Sequence, residues 1–168
     1  DIDYALHSGG ITNPYMKLAI ASVVMKESKR AVRERSYKNT SNQRIRDGGL
    51  GIRFRNKSDE WLSATKADPV KFFNYVYNDE IRPGDYGYPR PGKKRNLGNR
   101  PGTNDGYFYR GGGYNQITGR ANYTKTQAAV VAAGLGGNVV DNPDLLKQPR
   151  YAELALVDYM RRRTRRYL

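Results

Sequence analysis

Apolar residues recur at helical spacing near the start of the chain and predict a helix over residues 14–29, with Asn13 as its cap and Pro14 in its first turn. The apolar stripe of this helix consists of Met16, Ile20, Val23 and Val24. One further turn brings the stripe to Glu27. A carboxyl group on a buried helix face is unusual, because desolvation raises its pKa and favours the protonated form. Glu27 is therefore either a candidate proton donor or a residue at a frayed helix end that pairs with a nearby lysine or arginine.

The same periodicity predicts further helices along the chain. A short helix is predicted near Ser41–Arg46, and a compact helix within residues 68–79 is capped by Asp68 and buries Val70, Phe73, Val76 and Tyr77. Later in the chain, the pattern predicts a helix over residues 122–134 that ends at Gly134, a capped turn at 141–146 and a terminal helix over 149–168. Residues 80–106 are irregular and rich in proline and glycine, and we expect them to form an ordered loop that borders a cleft. With at most a small β-hairpin around residues 107–118, the expected fold class is mainly α, in a single domain over residues 1–168.

The amino-acid composition excludes several kinds of catalytic and metal site and indicates a class of partner. The chain has no cysteine and one histidine, His7, which excludes disulfides, a thiolate metal site and a His-rich zinc site and argues against a Ser-His-Asp triad. We expect neither a transmembrane span nor a signal peptide, because the longest apolar run, in LAIASVVM, is too short. No cofactor or metal is expected. The net charge of +14 indicates a polyanionic partner, such as nucleic acid, an acidic membrane surface or an anionic cell-wall polymer.

The most distinctive stretch is GYFYRGGGYNQITGRANY, in which three glycines follow an aromatic and basic run and precede closely spaced polar residues. It resembles the signature of glycoside hydrolase family 19, the chitinase and endolysin family, where an aromatic-Arg-Gly-x-Gly run leads into Gln-(Ile/Leu)-(Ser/Thr) and then Asn-Tyr. Other elements of that family resemble AIASVVMKES, RNLGN and DNPDLLKQPRYAELA, in the expected order and over most of residues 13–160. The similarity is closest to the short, cysteine-free phage and bacterial members. It implies a lysozyme-like, two-lobed, α-rich fold with a substrate groove between the lobes.

The resemblance also implies the chemistry of a glycosidase that hydrolyses a β-1,4-linked amino-sugar polymer. It places the general acid at Glu27, which the helix pattern indicates independently. The base in this family is a second glutamate in a downstream loop, for which Glu34 is the candidate, with Glu60 and Glu80 in reserve. The alternative for Glu34 is a surface glutamate that balances the two arginines beside it. Inverting glycosidases hold the two carboxyl groups roughly 6.5–9.5 Å apart, with the attacking water between them.

Around the three glycines, the resemblance implies the floor of the substrate groove. The glycines would let the sugar chain approach the backbone, and Thr118 would help to hold the attacking water. The implied substrate-binding residues are Gln116, Asn122, Tyr109, Tyr123 and Arg110. In the alternative interpretation, the polar residues satisfy backbone groups of the loop and the tyrosines fill the core.

Two positions depart from the family pattern. The histidine that precedes the acid in the family is Lys26 here, and the arginine in the middle of its Gly-Arg-Gly is Gly112. The loss of an arginine beside the cleft would change the charge around the carboxylates, which puts the rate and the substrate in doubt.

Three functions follow from these observations. The leading one is a bacteriolytic peptidoglycan hydrolase of the lysozyme or endolysin type, encoded by a bacteriophage, that acts on the bacterial cell wall after synthesis in the host cytoplasm or delivery in the virion. The second is a chitinase of the same family. The third is a non-enzymatic basic module that binds an anionic polymer or a phage structural partner. The charge of +14 favours an anionic cell wall, and dispersed basic residues without a nucleic-acid motif argue against nucleic acid. The sequence leaves open whether the domain stands alone or belongs to a longer protein.

Overall fold

The computed structural model describes residue 7 and residues 10–13, 15–17, 19–21, 32–79 and 96–164. The helices with assigned bounds are α1 (Asn42–Asp47), α2 (Asp59–Lys66), α3 (Pro69–Val76), α4 (Asp105–Phe108), α5 (Arg120–Ala132) and α6 (Pro149–Thr164), with 3₁₀ helices at Gly51–Phe54 and Pro143–Lys147. In this part of the chain, β structure is limited to one antiparallel bridge between Gly112 and Ile117. The prediction of a mainly α fold is therefore confirmed for the described residues. None of their helices is long and apolar enough to cross a membrane.

The chain divides into two compact units that interleave along the sequence. The first unit contains the described residues up to Glu34, Gly111–Thr118 and the residues from Asn122 onward. The second unit contains Arg35–Arg110 and Gly119–Ala121. The chain thus passes from one unit to the other on both sides of the glycine-rich stretch.

The first unit begins at the predicted helix cap. The Asn13 side chain accepts hydrogen bonds from the backbone N–H groups of Tyr15 (2.9 Å) and Met16 (3.3 Å), and residues 15–17 and 19–21 are helical. The predicted start of this helix is therefore confirmed. The rest of the predicted stripe, Val23, Val24 and Glu27, lies outside the described residues.

One core cluster of the first unit joins the start of the chain to its last helix. Its buried members are Ile11, Ile20, Tyr114, Ala152, Leu156 and Val157, with Met16 and Met160 packed against them. Met16 and Ile20 therefore face the core, as the stripe predicts. Tyr114 brings the glycine-rich stretch into the same cluster.

The later helices of the first unit also follow the sequence pattern. Helix α5 ends at Ala132, and Gly134 follows with a φ of +63°, a conformation common just beyond helix ends. The predicted turn at 141–146 is the 3₁₀ helix Pro143–Lys147, in which Asn142 makes no side-chain capping bond. Helix α6 is described to Thr164, within the predicted terminal helix.

The second unit is built around an aromatic core. The buried residues are Ile45, Phe54, Leu62, Phe72, Phe73 and Val76, with Tyr37, Leu50, Trp61, Tyr75, Tyr77 and Tyr107 packed against them. The three helices that supply this core start at side-chain caps: Ser41 for α1, Ser58 for α2 and Asp68 for α3. The predicted helix near Ser41 and the predicted Asp68 cap are both confirmed.

Some predictions for the second unit need correction. Phe72 is buried although the helical pattern did not select it, and Val70, which the pattern did select, is only partly buried. Tyr77 is the residue after α3 and packs against the core as predicted. Residues 107 and 108, at the start of the range expected to hold at most a small hairpin, belong to the short helix α4, and the bridge between Gly112 and Ile117 lies within that range. The 3₁₀ helix Gly51–Phe54 lies in a polar stretch without a regular period, which explains why the pattern missed it. Much of the predicted loop over residues 80–106, from 80 to 95, lies outside the described residues.

Candidate active site

The three consecutive glycines lie in the first unit, against side chains of the protein itself. A Cβ atom on Gly111 would lie 2.5 Å from Oε1 of Gln116, and one on Gly112 would lie 2.6 Å from the hydroxyl oxygen of Tyr123. With a larger residue at either position, the Gln116 or Tyr123 side chain would have to shift, so glycine at both positions fits the packing inside the protein. The expectation that these two glycines make room for substrate is therefore not needed to explain them.

Arg33 occupies the space beside Gly112. Its Cδ atom would lie 3.2 Å from a Cβ on Gly112, and its guanidinium group lies over the ring of Tyr123, 5.9 Å from the centroid. The Arg33 side chain is buried and donates to Asp144 at 3.0 Å. The arginine that the sequence lacks at position 112 thus has a buried counterpart beside that position.

The segment that follows the glycines is a tight loop. The N–H and C=O groups of Gly112 and Ile117 bond to each other in both directions, at 3.0 and 2.8 Å. Inside the loop, Gln116 has a φ of 51°, the one left-handed φ among the described non-glycine residues. Such a backbone costs on the order of 1–3 kcal/mol and persists where the surroundings enforce it. The side-chain amide of Gln116 holds this backbone conformation, because Nε2 donates to the carbonyl oxygens of Gly113 (2.9 Å) and Val32 (3.1 Å).

Thr118 and Asn122 also bond to the loop backbone. The Thr118 hydroxyl donates to the carbonyl oxygen of Gln116 at 3.0 Å, and Nδ2 of Asn122 donates to the carbonyl oxygen of Thr118 at 2.8 Å. These bonds give all three predicted polar residues a structural role. They also fix each side chain in one orientation while leaving oxygen lone pairs on each for a further partner. Their predicted contacts with substrate and water stay predictions.

Glu34 lies directly against the glycine stretch. Its backbone N–H donates to the carbonyl oxygen of Gly111 at 2.7 Å, and its Oε1 accepts a longer bond from the N–H of Gly111 at 3.4 Å. The Glu34 side chain is half-buried. Arg33, one of the two arginines beside Glu34, pairs with Asp144. The structure thus brings Glu34 to the same loop as Gln116 and Thr118.

Asn115 is a residue of this loop that the sequence argument did not select. Both its amide nitrogen and its amide oxygen are buried, and neither has a hydrogen-bond partner among the described residues. A buried amide without partners destabilises a fold and calls for an explanation. No local pattern signals it, since an asparagine in a glycine-rich loop looks like an ordinary turn residue.

The two predicted sugar-stacking tyrosines are both buried. Tyr109, in the second unit, is 1% exposed, and Tyr123, in the first, is 0% exposed. The guanidinium group of Arg120 lies over the Tyr109 ring, 4.8 Å from its centroid. A ring must offer a face to solvent in order to stack on a sugar, so this burial favours the alternative that both tyrosines are core residues.

Arg110, the remaining predicted substrate contact, belongs to the second unit. Its guanidinium group lies over the ring of Tyr107, 4.3 Å from the centroid, and Nη1 donates to the Tyr107 carbonyl oxygen at 3.0 Å. These contacts hold the arginine in place. Its contact with substrate stays a prediction.

A buried carboxylate in the second unit anchors the start of the glycine-rich stretch. Asp105 accepts from Nε of Arg120 at 2.9 Å and from Nε of Arg100 at 3.1 Å, with Asp105 4% exposed. Burial alone would raise its pKa, but the hydrogen bonds from Arg120 and Arg100 and the charge of Arg120 together hold the pKa of Asp105 well below its ordinary value. The same carboxylate therefore fixes Arg120, which lies over Tyr109.

The other glutamates considered for acid or base are not among the described residues of this site. Glu60 is an exposed residue in the first turn of α2, beside Trp61, as expected of a structural residue. Glu27, Glu80 and Lys26 lie outside the described residues. The site that can be described therefore consists of Glu34 and the loop around Gln116 and Thr118.

In comparisons with known proteins, no protein-family model matched the chain, and no curated protein or solved structure matched it. The resemblance to glycoside hydrolase family 19 therefore rests on the motifs in the sequence.

Proposed function

We propose that the protein is a glycosidase that hydrolyses the β-1,4 bonds of bacterial peptidoglycan, with a lysozyme-like, two-lobed fold. The observation that carries this proposal is the pairing of Glu34 with Gly111, in which a carboxylate lies against the backbone of the signature loop. The polar residues of that loop are held in single orientations by backbone bonds. A rigid loop beside a carboxylate is the arrangement that a positioned nucleophilic water requires.

The proposed reaction is an inverting displacement. Glu27, protonated, gives its proton to the departing glycosidic oxygen, and the ionised Glu34 takes a proton from the attacking water. The water oxygen attacks the anomeric carbon from the opposite face of the sugar ring. The new hydroxyl group then ends on that face, and the leaving sugar keeps its oxygen as a hydroxyl group.

Thr118 has the right chemistry to orient that water. Its hydroxyl hydrogen is used in the bond to the Gln116 carbonyl oxygen, so the oxygen can only accept further hydrogen bonds. A water molecule that donates one hydrogen to Thr118 has its other hydrogen available for Glu34. Its lone pair is then free to attack the sugar. Asn122 and Gln116 contribute carbonyl oxygens that can accept hydrogen bonds from substrate hydroxyl or amide groups.

The net charge of +14 supports peptidoglycan as the substrate. Peptidoglycan is an anionic polymer, and a strongly basic protein is drawn to its surface by long-range attraction. Chitin is uncharged and gains nothing from this charge. We therefore place the site of action at the bacterial cell wall, as for a phage lysozyme or endolysin.

Clearing of purified cell walls, measured as loss of turbidity beside a parallel chitin assay, tests the proposal. The wild type should clear cell walls faster than it degrades chitin. Glu27→Gln should abolish clearing in a folded protein, because an amide cannot give up a proton to the leaving oxygen. Asp47→Asn, which removes one negative charge from an exposed position, should leave clearing unchanged.

Faster degradation of chitin than of cell walls would favour the chitinase. Binding to cell walls without degradation of either polymer would favour the non-enzymatic module. A folded Glu27→Gln variant that keeps more than a few per cent of activity would remove Glu27 as the acid.

A further inference from the structure

The second unit contains a pocket that the proposed hydrolysis does not use. Its volume is about 530 Å³, within the usual range for sites that bind small molecules. The lining residues that carry the argument are Lys57, Trp61, Lys71, Asn74, Arg100 and Asn104. None of them belongs to the residues assigned above to acid, base, water or substrate contacts.

The charge of this pocket is positive. Lys57, Lys71 and Arg100 contribute three basic groups, and no described lining residue is acidic. Arg100 is paired with Asp105 outside the lining. Lys57 is held by aromatic rings, with Nζ 4.9 Å from the centroid of Trp61 and 5.6 Å from that of Tyr75. A site with this balance favours a ligand that carries negative charge.

The rest of the lining suits a ligand with many hydroxyl groups. The lining residues Asn74, Asn78 and Asn104 supply amide groups, and Trp61, Tyr75 and Tyr77 supply aromatic surface. Amide groups bond to hydroxyl groups, while aromatic side chains pack against the C–H groups of a sugar ring. A simple inorganic anion would use the cations alone.

The polar wall is also pre-arranged. Nδ2 of Asn74 donates to Oδ1 of Asn104 at 3.0 Å, and the Thr103 hydroxyl donates to the Arg100 carbonyl oxygen at 2.7 Å. Asn99 donates to the Tyr77 carbonyl oxygen at 2.9 Å. Side chains that are already held in place lose little entropy when a ligand binds.

We propose that this pocket binds a sugar that carries a carboxylate or a phosphate group. The choice of a sugar over other hydroxyl-rich anions rests on the proposed function, and the pocket would then hold a cell-wall glycan at a second point. The anion would lie between Lys57 and Lys71, and the sugar ring would contact Trp61. The shared chemistry has two sources in cell walls, namely the carboxylate of an acidic amino sugar in the glycan strand and the phosphate of a sugar-phosphate polymer.

Trp61 is the single tryptophan of the chain, so its fluorescence reports on this pocket alone. The full-length protein is titrated with N-acetylmuramic acid, N-acetylglucosamine 6-phosphate, uncharged N-acetylglucosamine and a mononucleotide, and each titration is repeated by calorimetry. We expect saturable binding of one or both acidic sugars, at least about tenfold tighter than that of the uncharged sugar. The acidic sugar that binds more tightly identifies the source.

Matched lysine variants tie the binding to the pocket. Lys71→Gln should weaken binding of the acidic sugar about tenfold, because a charge-assisted contact is lost. Lys38→Gln removes the same charge from an exposed position outside the pocket and should have little effect. Equal effects of the two variants, tighter binding of the mononucleotide or the uncharged sugar, or no binding by either method would each overturn the proposal.

These ligands contain no glycosidic bond between sugars, so the outcome is independent of hydrolysis. A protein that binds the acidic sugar but clears no cell walls would contradict the proposed function and support the pocket. A protein that clears cell walls but binds none of these sugars would support the proposed function and contradict sugar binding by the pocket.

Discussion

At the scale of single residues, Thr118 serves both the loop and the proposed chemistry through one hydroxyl group. It donates its hydrogen to the Gln116 backbone and keeps its lone pairs for another partner. A structural role and a catalytic role therefore predict different losses when the hydroxyl group is removed.

Thr118→Val keeps the branched shape of the side chain and removes only that hydroxyl group. We expect kcat for cell-wall hydrolysis to fall by roughly 30- to 1000-fold with little change in KM, because the group acts on the water in the transition state. The lost bond to Gln116 should also lower the unfolding free energy by about 1 kcal/mol. Steady-state kinetics and thermal unfolding measure the two effects separately.

Thr118→Ser is the control, since it retains the hydroxyl group and should recover most of kcat. If instead Thr118→Val loses stability but keeps its activity per folded molecule within about threefold of the wild type, Thr118 has only a structural role.

At the scale of the elements, the Asp105 network links α4 to the start of α5. One buried carboxylate accepts bonds from Arg100, which precedes α4, and from Arg120, the first residue of α5. The pKa of Asp105 is held below its ordinary value in the folded protein. A carboxylate in this situation stabilises the fold whenever it is ionised, and protonation removes the benefit.

The pH dependence of this contribution has a definite sign. Because the pKa is lower in the folded than in the unfolded state, where it is about 3.9, the stabilisation is complete above about pH 5. It is lost as the pH falls below about 4 toward the pKa of the folded state. Asp105→Asn should lower the unfolding free energy by about 2–3 kcal/mol at pH 7 and should flatten its decline at acidic pH.

Denaturant unfolding of both proteins between pH 2 and pH 7 measures this difference. Asp59→Asn is the matched control, because Asp59 pairs with Arg46 but its side chain is 71% exposed, and such pairs contribute about 1 kcal/mol or less. If the unfolding free energies of the wild type and Asp105→Asn fell in parallel as the pH is lowered, the stabilising role of ionised Asp105 would be contradicted.

The elements also show how far the sequence predicts this fold. The caps at Asn13 and Asp68 could be predicted because a cap depends on residues within one helical turn. The pairing of Arg33 with Asp144 joins residues 111 positions apart, and no local pattern indicates it. The sequence also does not indicate the burial of Tyr109, because an aromatic residue in a loop has the same local pattern whether it faces solvent or the core.

The candidate site also has features that the sequence predicts and features that it does not. The motif indicated that Gln116, Thr118 and Asn122 belong together, and the structure joins them by hydrogen bonds, with Gln116 and Thr118 in the loop beside Glu34 and Asn122 in the first turn of α5. The orphaned amide of Asn115 depends on what surrounds it in three dimensions. Its burial could not be predicted from the residues next to it.

At the scale of the whole molecule, charge and chemistry are spread over two compact units. The signature loop and Glu34 belong to the first unit, and the basic aromatic pocket belongs to the second. With a net charge of +14, the protein should be attracted to an anionic polymer.

The central claim is that Glu34 is the base of a peptidoglycan glycosidase. The most direct measurement is the number of new sugar reducing ends released from purified peptidoglycan by the wild type and by Glu34→Gln. The account predicts that the wild type releases reducing ends and that Glu34→Gln, with unchanged thermal unfolding, releases them at least about 100-fold more slowly. No new reducing ends from the wild type, or an equal rate from folded Glu34→Gln, would contradict it.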